Sequence, residues 1–444
     1  MKIHAYYGIF GAMKDLIWNE FPESGYDDWK KQVLKELGGK DYSSIVWRNT
    51  NGFDVQPYFN EGKKKSELKK PDRWDIYQSI SGNTASEINS KMLESLNGGA
   101  NAIGITTTIS SAEMLDEVLK DVHVAFISLH FTNKENPIEL VDWIVQYCTA
   151  HQIEAKSLRG SCRTIAVADP SSDVMKNLAI LSVEHFSLFK VFPVNVAFVH
   201  ECGGRNAHEL AYALATGNEF LHEMTNAGIR IDDVSAMLQF NFSTGSSYFA
   251  EIAKYRAFRV LWKTIVEQYH PGFDCSGHCS VHAETSRFLQ TTKDHYNNLL
   301  RATTQTMSAI IGGANSVEAL PVYEQDKSES SISLRIARNI QHLLMEESYL
   351  QQAGDVASGS YYIESLTEQL SNAAWDMFLH IEKMGGISEA SEWLNEQLDE
   401  NLAQQRIDLN ENQTIVVGVN KYKNKSESVI ETDTNALTGF LERE

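Results

Sequence analysis

The sequence has 444 residues, enough for one large domain with extensions or for two domains. Apolar residues make up 42% and charged residues 22%, the usual balance for a globular chain. The formal net charge of −20 argues against nucleic acid and anionic membrane as partners, since both attract basic surfaces, and no apolar run is long enough to span a bilayer.

Residues 1–70 are polar and mixed and read as an N-terminal arm. The arm closes on a lysine-rich linker, Gly62-Lys63-Lys64-Lys65. Met1 to Trp18 carries Lys14 and Asp15 and lacks a small-residue cleavage site, so no signal peptide is expected. From about residue 71, short β-branched runs alternate with amphipathic segments, which predicts βαβ units and a parallel sheet.

The predicted strands are Ala102–Thr107, Val122–Leu129, Thr164–Ala168, Phe189–Phe198, Ala236–Phe242 and Ser280–Ala283. Glu154–Lys156 and Ser316–Leu320 are ambiguous stretches that bring the total towards eight. The predicted helices between them include Thr84–Asn97, Asn206–Asn226, Ser247–Tyr269 and Tyr296–Gly312. A parallel (β/α)8 barrel of the TIM type needs about 250 residues, which the span 70–350 accommodates. A doubly wound open sheet is the alternative. Helices follow at Ile332–Glu347, Ile363–Met384 and Ser388–Leu398. A short strand is expected at Ile415–Val419, then a polar tail over 423–444.

The five cysteines, Cys148, Cys162, Cys202, Cys275 and Cys279, include no CxxC pair and read as reduced cytosolic thiols. Cys275, His278, Cys279 and His282 are close in sequence, but their spacing fits no common zinc pattern, so no metal is expected. Gly203-Gly204 before a helix could hold an anion, although a tight barrel turn is the simpler reading. In a β/α barrel the chemistry sits at the C-terminal ends of strands, where Asp169, Phe198, His200, Ser243 and Glu284 are expected. Residue types alone lead no further than a β/α barrel, in which His200 and Glu284 could serve as base and acid and a barrel enzyme using His200, Glu284 or Lys190 is a minor alternative.

Several stretches together resemble the methylmalonyl-CoA mutase family. Asp294-His295-Tyr296-Asn297-Asn298-Leu299-Leu300-Arg301 is similar to the family's QDPYNNxxR run. Ile311-Gly312-Gly313-Ala314-Asn315-Ser316 resembles its GGTQS. Leu334-Arg335-Ile336-Ala337-Arg338-Asn339-Ile340-Gln341, Ser358-Gly359-Ser360-Tyr361-Tyr362-Ile363-Glu364 and Val417-Gly418-Val419-Asn420-Lys421-Tyr422 resemble further family segments. The opening, with Glu20-Phe21-Pro22, Trp29 and Leu37-Gly38-Gly39-Lys40-Asp41-Tyr42, resembles the family's small subunit, whose arm packs on a partner.

The resemblance implies a barrel that threads acyl-CoA beneath adenosylcobalamin, and it marks departures from the catalytic pattern. Tyr77 stands where catalytic chains carry Arg, and Ser79 where they carry Tyr. Phe198 replaces the thioester-binding His, Ser280 an Arg, and Lys293 a Gln, while His282 is retained. An aromatic or a small hydroxyl cannot replace Arg as a carboxylate partner, and Phe donates no hydrogen bond to a carbonyl. The family's cobalt-ligating motif, DxHxxG, lies in a flavodoxin-like B12 domain that this sequence is not expected to contain. Asp121-Val122-His123 matches the motif only in part.

The resemblance therefore implies a non-catalytic small subunit, cytoplasmic, in a heterodimer with a catalytic large subunit that holds adenosylcobalamin and interconverts (R)-methylmalonyl-CoA and succinyl-CoA. No cofactor is expected on this chain, and the isolated chain could form a homodimer. The alternative is a catalytic acyl-CoA mutase barrel working with a separate B12-binding chain.

Overall fold

The computed structural model describes residues 25–48, 52–58, 71, 73–132, 137–163, 170–291, 296–321, 330–352 and 354–423. The chain divides into two compact units, 1–62 and 63–444. In the first, helix α1 (Tyr26–Glu36) buries none of its residues. A 3-10 turn over Tyr42–Ile45 is capped by Asp41, whose carboxylate accepts from the Ser43 amide at 2.8 Å. Strands β1 (Trp47–Arg48) and β2 (Asp54–Val55) form a short antiparallel ribbon, and Trp29 stacks on Tyr58 at 4.8 Å.

The second unit is a parallel barrel wrapped in helices. Its elements, in order, begin β3 (Asp75–Ile80), α2 (Ala85–Asn97), β4 (Ala102–Ile105), α3 (Ala112–Val118), β5 (Ser128–Thr132), α4 (Pro137–Ala150), β6 (Arg159–Arg163) and α5 (Asp173–His185). They continue with β7 (Phe189–Lys190), β8 (Phe192–Asn195), α6 (Ala197–Glu201), α7 (Asn206–Asn226), α8 (Ile231–Met237), β9 (Leu238–Thr244) and α9 (Tyr248–Gln268). After β10 (Ser280–Thr285), α10 (Asn297–Gly312) and β11 (Ser316–Glu318) come the helices α11 (Ser330–His342), α12 (Tyr361–Met384) and α13 (Ser391–Asn410). Side-chain caps start several helices: Thr84, Ser111 and Ser172 each accept from a backbone amide in the first turn.

The strand order is β7-β6-β5-β4-β3-β11-β10-β9-β8, all parallel. Only Val191 separates β7 from β8, so the chain itself closes the circuit between β6 and β9. Phe189 packs outward on Phe131 and Phe186, and Phe192 packs outward on Phe220. Two outward residues three apart break the period of two, so one extra residue is inserted at Lys190–Val191, as in a β-bulge. The apolar core lies outside the barrel. Phe240 and Phe242 pack against Phe258, with Trp262 beside Phe240. Ile76, Ile103, Ile105, Leu129, Val281 and Val317 are buried in the same layer.

Several predicted elements shift. The strand expected at Val122–Leu129 begins six residues later, at Ser128, because Asp121 adopts a left-handed φ of 61° and Val124–Phe126 forms a 3-10 turn. Glu154–Lys156 is no strand, since Ala155–Ser157 forms a 3-10 turn, and the strand there is Arg159–Arg163. Thr164–Ala168 lies outside the described residues. The strand expected over Phe189–Phe198 stops at Asn195 and gives way to α6. Ile415–Val419 forms no strand. It closes a turn through a single bridge between Val417 and Lys421, where Asn420 donates to the Thr414 carbonyl at 2.7 Å. The tail, 424–444, lies outside the described residues.

Candidate functional site

A β/α barrel is ordinarily filled by branched apolar side chains. Here the strands turn polar residues inward and apolar residues outward. On β3 the inward set is Asp75, Tyr77 and Ser79, while Gln78 faces out and accepts from Arg338 on α11 at 2.8 Å. Inward His130 on β5 and Ser161 on β6 meet through Nδ1 and Oγ at 2.8 Å. On β9, Gln239 donates to Asn241 at 3.1 Å, and His282 Nδ1 lies 2.9 Å from Ser316 Oγ. Buried polar groups must find partners, and these strands supply them across the barrel.

Tyr77 crosses the centre. It is 2% exposed, with its ring 4.9 Å from that of His130 and 4.4 Å from that of His282. Gly104 makes room for it, because a Cβ there would lie 2.0 Å from the Tyr77 hydroxyl oxygen. Arg163 Nη1 donates to that hydroxyl at 2.9 Å. Burial pushes the phenol up to about 12, so it stays neutral. Burial also pulls the His130 imidazole down to about 3 and holds His282 well below its usual range. Both rings are therefore neutral, and the Nε2 of each is buried with no hydrogen-bond partner.

Above Tyr77, Glu318 accepts from the Ser79 amide at 2.8 Å and from its hydroxyl at 3.0 Å. Glu284 lies 3.8 Å from Arg163. Burial, reinforced by the neighbouring Glu318 and Glu201 and opposed by Arg163, pushes the Glu284 carboxyl up to about 7. Burial raises Glu318 as well. His282, Glu284 and Glu318 bring ligand atoms within 4.8 Å of one another, a set that sequence spacing did not suggest. Arg163 already supplies part of the counter-charge that a divalent ion would bring. Cys275, His278 and Cys279 take no part. Cys275 is exposed on a 3-10 turn, while Cys279 is buried next to Arg259.

A second polar cluster joins the barrel rim to the outer helices. His200 Nδ1 lies 2.9 Å from Glu209, and Lys254, fully buried, contacts Glu209 at 2.8 Å and Glu251 at 2.6 Å. Burial opposes the charge on His200, but Glu209 prevails and raises its pKa. Glu201 accepts from Ser243 at 2.9 Å and Ser286 at 3.0 Å. This network ties α6, α7 and α9 to β9 and β10. Every partner is internal, which suits a positioning scaffold.

The barrel interior thus collects Tyr77, Ser79, His282 and Glu284. Ser280 opens β10 opposite Gln239. Phe198 is not among them: it sits on α6, 36% exposed, with its ring edge-on to Tyr212 at 5.0 Å. His200 likewise belongs to α6 and not to a strand end. Asp169 and Lys293 lie outside the described residues. Gly203 and Gly204 form a packing turn, where a Cβ would meet Leu402 or the Val199 carbonyl. Asp121 and His123 lie before β5, at the N-terminal end of the barrel, with His123 edge-on to Phe126. Neither the partial motif nor its position before β5 suits His123 to the role of a cobalt ligand. Arg163, Glu318, His130 and Ser161 escaped the sequence reading. The period-two polar alternation in Arg159-Gly160-Ser161-Cys162-Arg163 was their available signal.

A profile of the family described as methylmalonyl-CoA mutase matches residues 107–439. The methylmalonyl-CoA mutase small subunit of Porphyromonas gingivalis is 31% identical over 408 residues, covering 85% of this chain and 66% of that protein. The small subunit of Streptomyces virginiae is 27% identical, over 83% of this chain and 65% of its own length. The mutase of Cereibacter sphaeroides is 25% identical, over 91% of this chain and 65% of its own length. This chain therefore spans about two thirds of the length of these relatives.

Proposed function

Because the chain belongs to the methylmalonyl-CoA mutase family, we propose that it serves as the non-catalytic small subunit of a heterodimeric, adenosylcobalamin-dependent mutase. Its catalytic partner interconverts (R)-methylmalonyl-CoA and succinyl-CoA and holds the cofactor. The observation that carries this reading is Tyr77. An aromatic side chain stands where the family resemblance places an acid-binding Arg, and it fills the barrel axis between His130 and His282. Arg163 hydrogen-bonds to it from across the barrel, so the space that a thioester would thread is taken up by the chain's own side chains.

Three further features support the reading. Phe198, at the position of the thioester-binding His, turns away from the axis and offers no donor. Two of the charged groups beside it are already engaged within the chain: Arg163 meets Glu284, and Glu318 accepts from Ser79. A transition state needs oriented donors that are not already spent, and one missing donor to a reacting carbonyl typically costs about 3–4 kcal/mol. The N-terminal unit carries a helix with no buried residue, the form an arm takes when its cover is another polypeptide. The five unpaired cysteines fit a reducing, cytoplasmic setting.

Co-expression with a catalytic subunit of the family, followed by native mass measurement, tests the proposal. A one-to-one complex is expected, with a homodimer or monomer from the chain alone. Failure to associate with any catalytic subunit would remove the proposed role.

A further inference from the structure

Two carboxylates and one imidazole meet near the mouth of the barrel, and strand register explains why. His282 and Glu284 lie two apart on β10. Parallel pairing sets His282 beside Ser316 and Glu284 beside Glu318 on β11. Residues two apart on a strand, and residues paired across strands, share a face, so all four point into the lumen. The atoms that His282, Glu284 and Glu318 can offer a cation lie within 4.8 Å of one another. Among the described residues no other three His, Cys, Asp or Glu side chains come together in this way.

The imidazole makes this more than an acidic cluster. His282 is 1% exposed, and its Nδ1 is committed to the Ser316 hydroxyl at 2.9 Å. Its Nε2 is buried with no hydrogen-bond partner. A buried nitrogen in that state is costly unless an ion or another group meets it. A ring tied down through one nitrogen and free at the other is the arrangement of a metal-ligating histidine, whose outer partner fixes tautomer and orientation. Glu318 is oriented in the same manner, by the Ser79 amide at 2.8 Å and the Ser79 hydroxyl at 3.0 Å, and each of its oxygens keeps a second lone pair.

Charge and access agree with the geometry. One guanidinium faces two carboxylates, and Arg163 stands 3.8 Å from Glu284, beyond hydrogen-bond length. A divalent ion balances the carboxylate pair and leaves Arg163 its bond to Tyr77. The Glu284 side chain is 23% exposed near the C-terminal end of β10, so an ion enters from the mouth without passing Tyr77. It needs no cavity beyond the gap between its ligands. Zinc bonds to nitrogen and oxygen are about 2.0–2.2 Å long, and rotations of the two glutamates close the remaining distance.

We propose that His282 Nε2, Glu284 and Glu318 form a zinc-type site: a divalent transition ion held by one imidazole and two carboxylates, with a fourth position open towards the mouth. The imidazole selects against magnesium and calcium, which take oxygen ligands. Three protein ligands and one open position are the pattern of zinc sites that accept a further small ligand, water or an anion. The site is separate from cobalamin chemistry and stands or falls independently of the subunit assignment.

The test uses the full chain, freed of metal with a chelator, titrated with zinc in a calorimeter and then with cobalt(II) under visible absorption. One equivalent is expected to bind, with a rise in the thermal midpoint and a cobalt spectrum free of thiolate charge-transfer bands. His282→Gln should abolish binding. Ser316→Ala, which removes only the outer partner, should weaken it about 10–100-fold. Cys275→Ser, at an exposed thiol, should leave it unchanged. Absence of one-equivalent binding, binding that survives His282→Gln, or binding lost in Cys275→Ser overturns the proposal. Should His282→Gln not fold, Ser316→Ala and the cobalt spectrum decide: undiminished affinity or thiolate bands would assign the ion to surface residues and overturn it.

Discussion

Arg163, on the fourth strand of the barrel, donates from Nη1 to the Tyr77 hydroxyl on the first strand at 2.9 Å. Two strands lie between them, so the bond spans the lumen and ties opposite walls together. Tyr77→Phe leaves the shape of the plug but strands a buried Arg163 donor. Urea unfolding should report a loss of about 1–3 kcal/mol. Tyr77→Ala empties the axis and should cost about 3–5 kcal/mol. A neutral result for Tyr77→Phe would mean that the bond adds nothing to the fold.

Gly104 and Tyr77 are a matched pair, because a Cβ at 104 meets the Tyr77 hydroxyl oxygen at 2.0 Å. Gly104→Ala should destabilise the chain by about 1–3 kcal/mol through overpacking. In a Tyr77→Ser background the same change should cost much less. A double-mutant cycle with additive energies would separate the two residues.

Glu284 sets a pH dependence. Its carboxyl sits at about 7 in the folded chain against 4.5 unfolded, so the native state holds a proton that the unfolded state has released. The stability carried by that proton is complete below the unfolded value and is lost as pH rises through about 7. Between about pH 5 and pH 8 the parent chain should lose up to about 3 kcal/mol more than Glu284→Gln does. Burial raises Glu318 as well, and because it lies beside Glu284 the two carboxyls titrate as a pair, so the difference between the two proteins reports that pair. Parallel stability profiles would contradict this reading.

Lys254 is fully buried between Glu209 and Glu251. Lys254→Met keeps the length of the side chain but removes the ammonium between two carboxylates, leaving Glu209 only His200 and Glu251 no lysine. Breaking one side of a buried ion cluster should cost about 3–5 kcal/mol, enough to threaten folding at 37 °C. The midpoint of thermal unfolding is the readout, and an unchanged midpoint would show that the network is not structural.

Much of the barrel was legible in the sequence, and the reason is uneven. Long helices such as Asn206–Asn226 and Tyr248–Gln268 show a clear apolar stripe, and their ends agree within a residue or so of the expected ones. Strands such as Arg159–Arg163 and Ser128–Thr132 were missed or displaced because their inward positions are Arg, Ser and His. A search for β-branched runs passes over a strand whose polar face is buried. The family resemblance located Tyr77, Ser79 and His282, and the structure brings them into one lumen. The resemblance gave no warning of Arg163 or Glu318, which complete the plug, since neither belongs to the motifs compared. Phe198 was placed on a strand end by extending an apolar run three residues too far. The helix that begins at Ala197 turns its ring outward.

The central claim is that the barrel axis is filled by the chain's own residues, so that turnover belongs to the partner. Isomerase activity decides this directly, measured on the isolated chain supplied with (R)-methylmalonyl-CoA, adenosylcobalamin and a separately purified B12-binding domain of the family. No succinyl-CoA above background is predicted. Turnover that saturates with substrate and disappears in a Glu284→Gln or His282→Ala variant would contradict the account and make this chain the catalytic one.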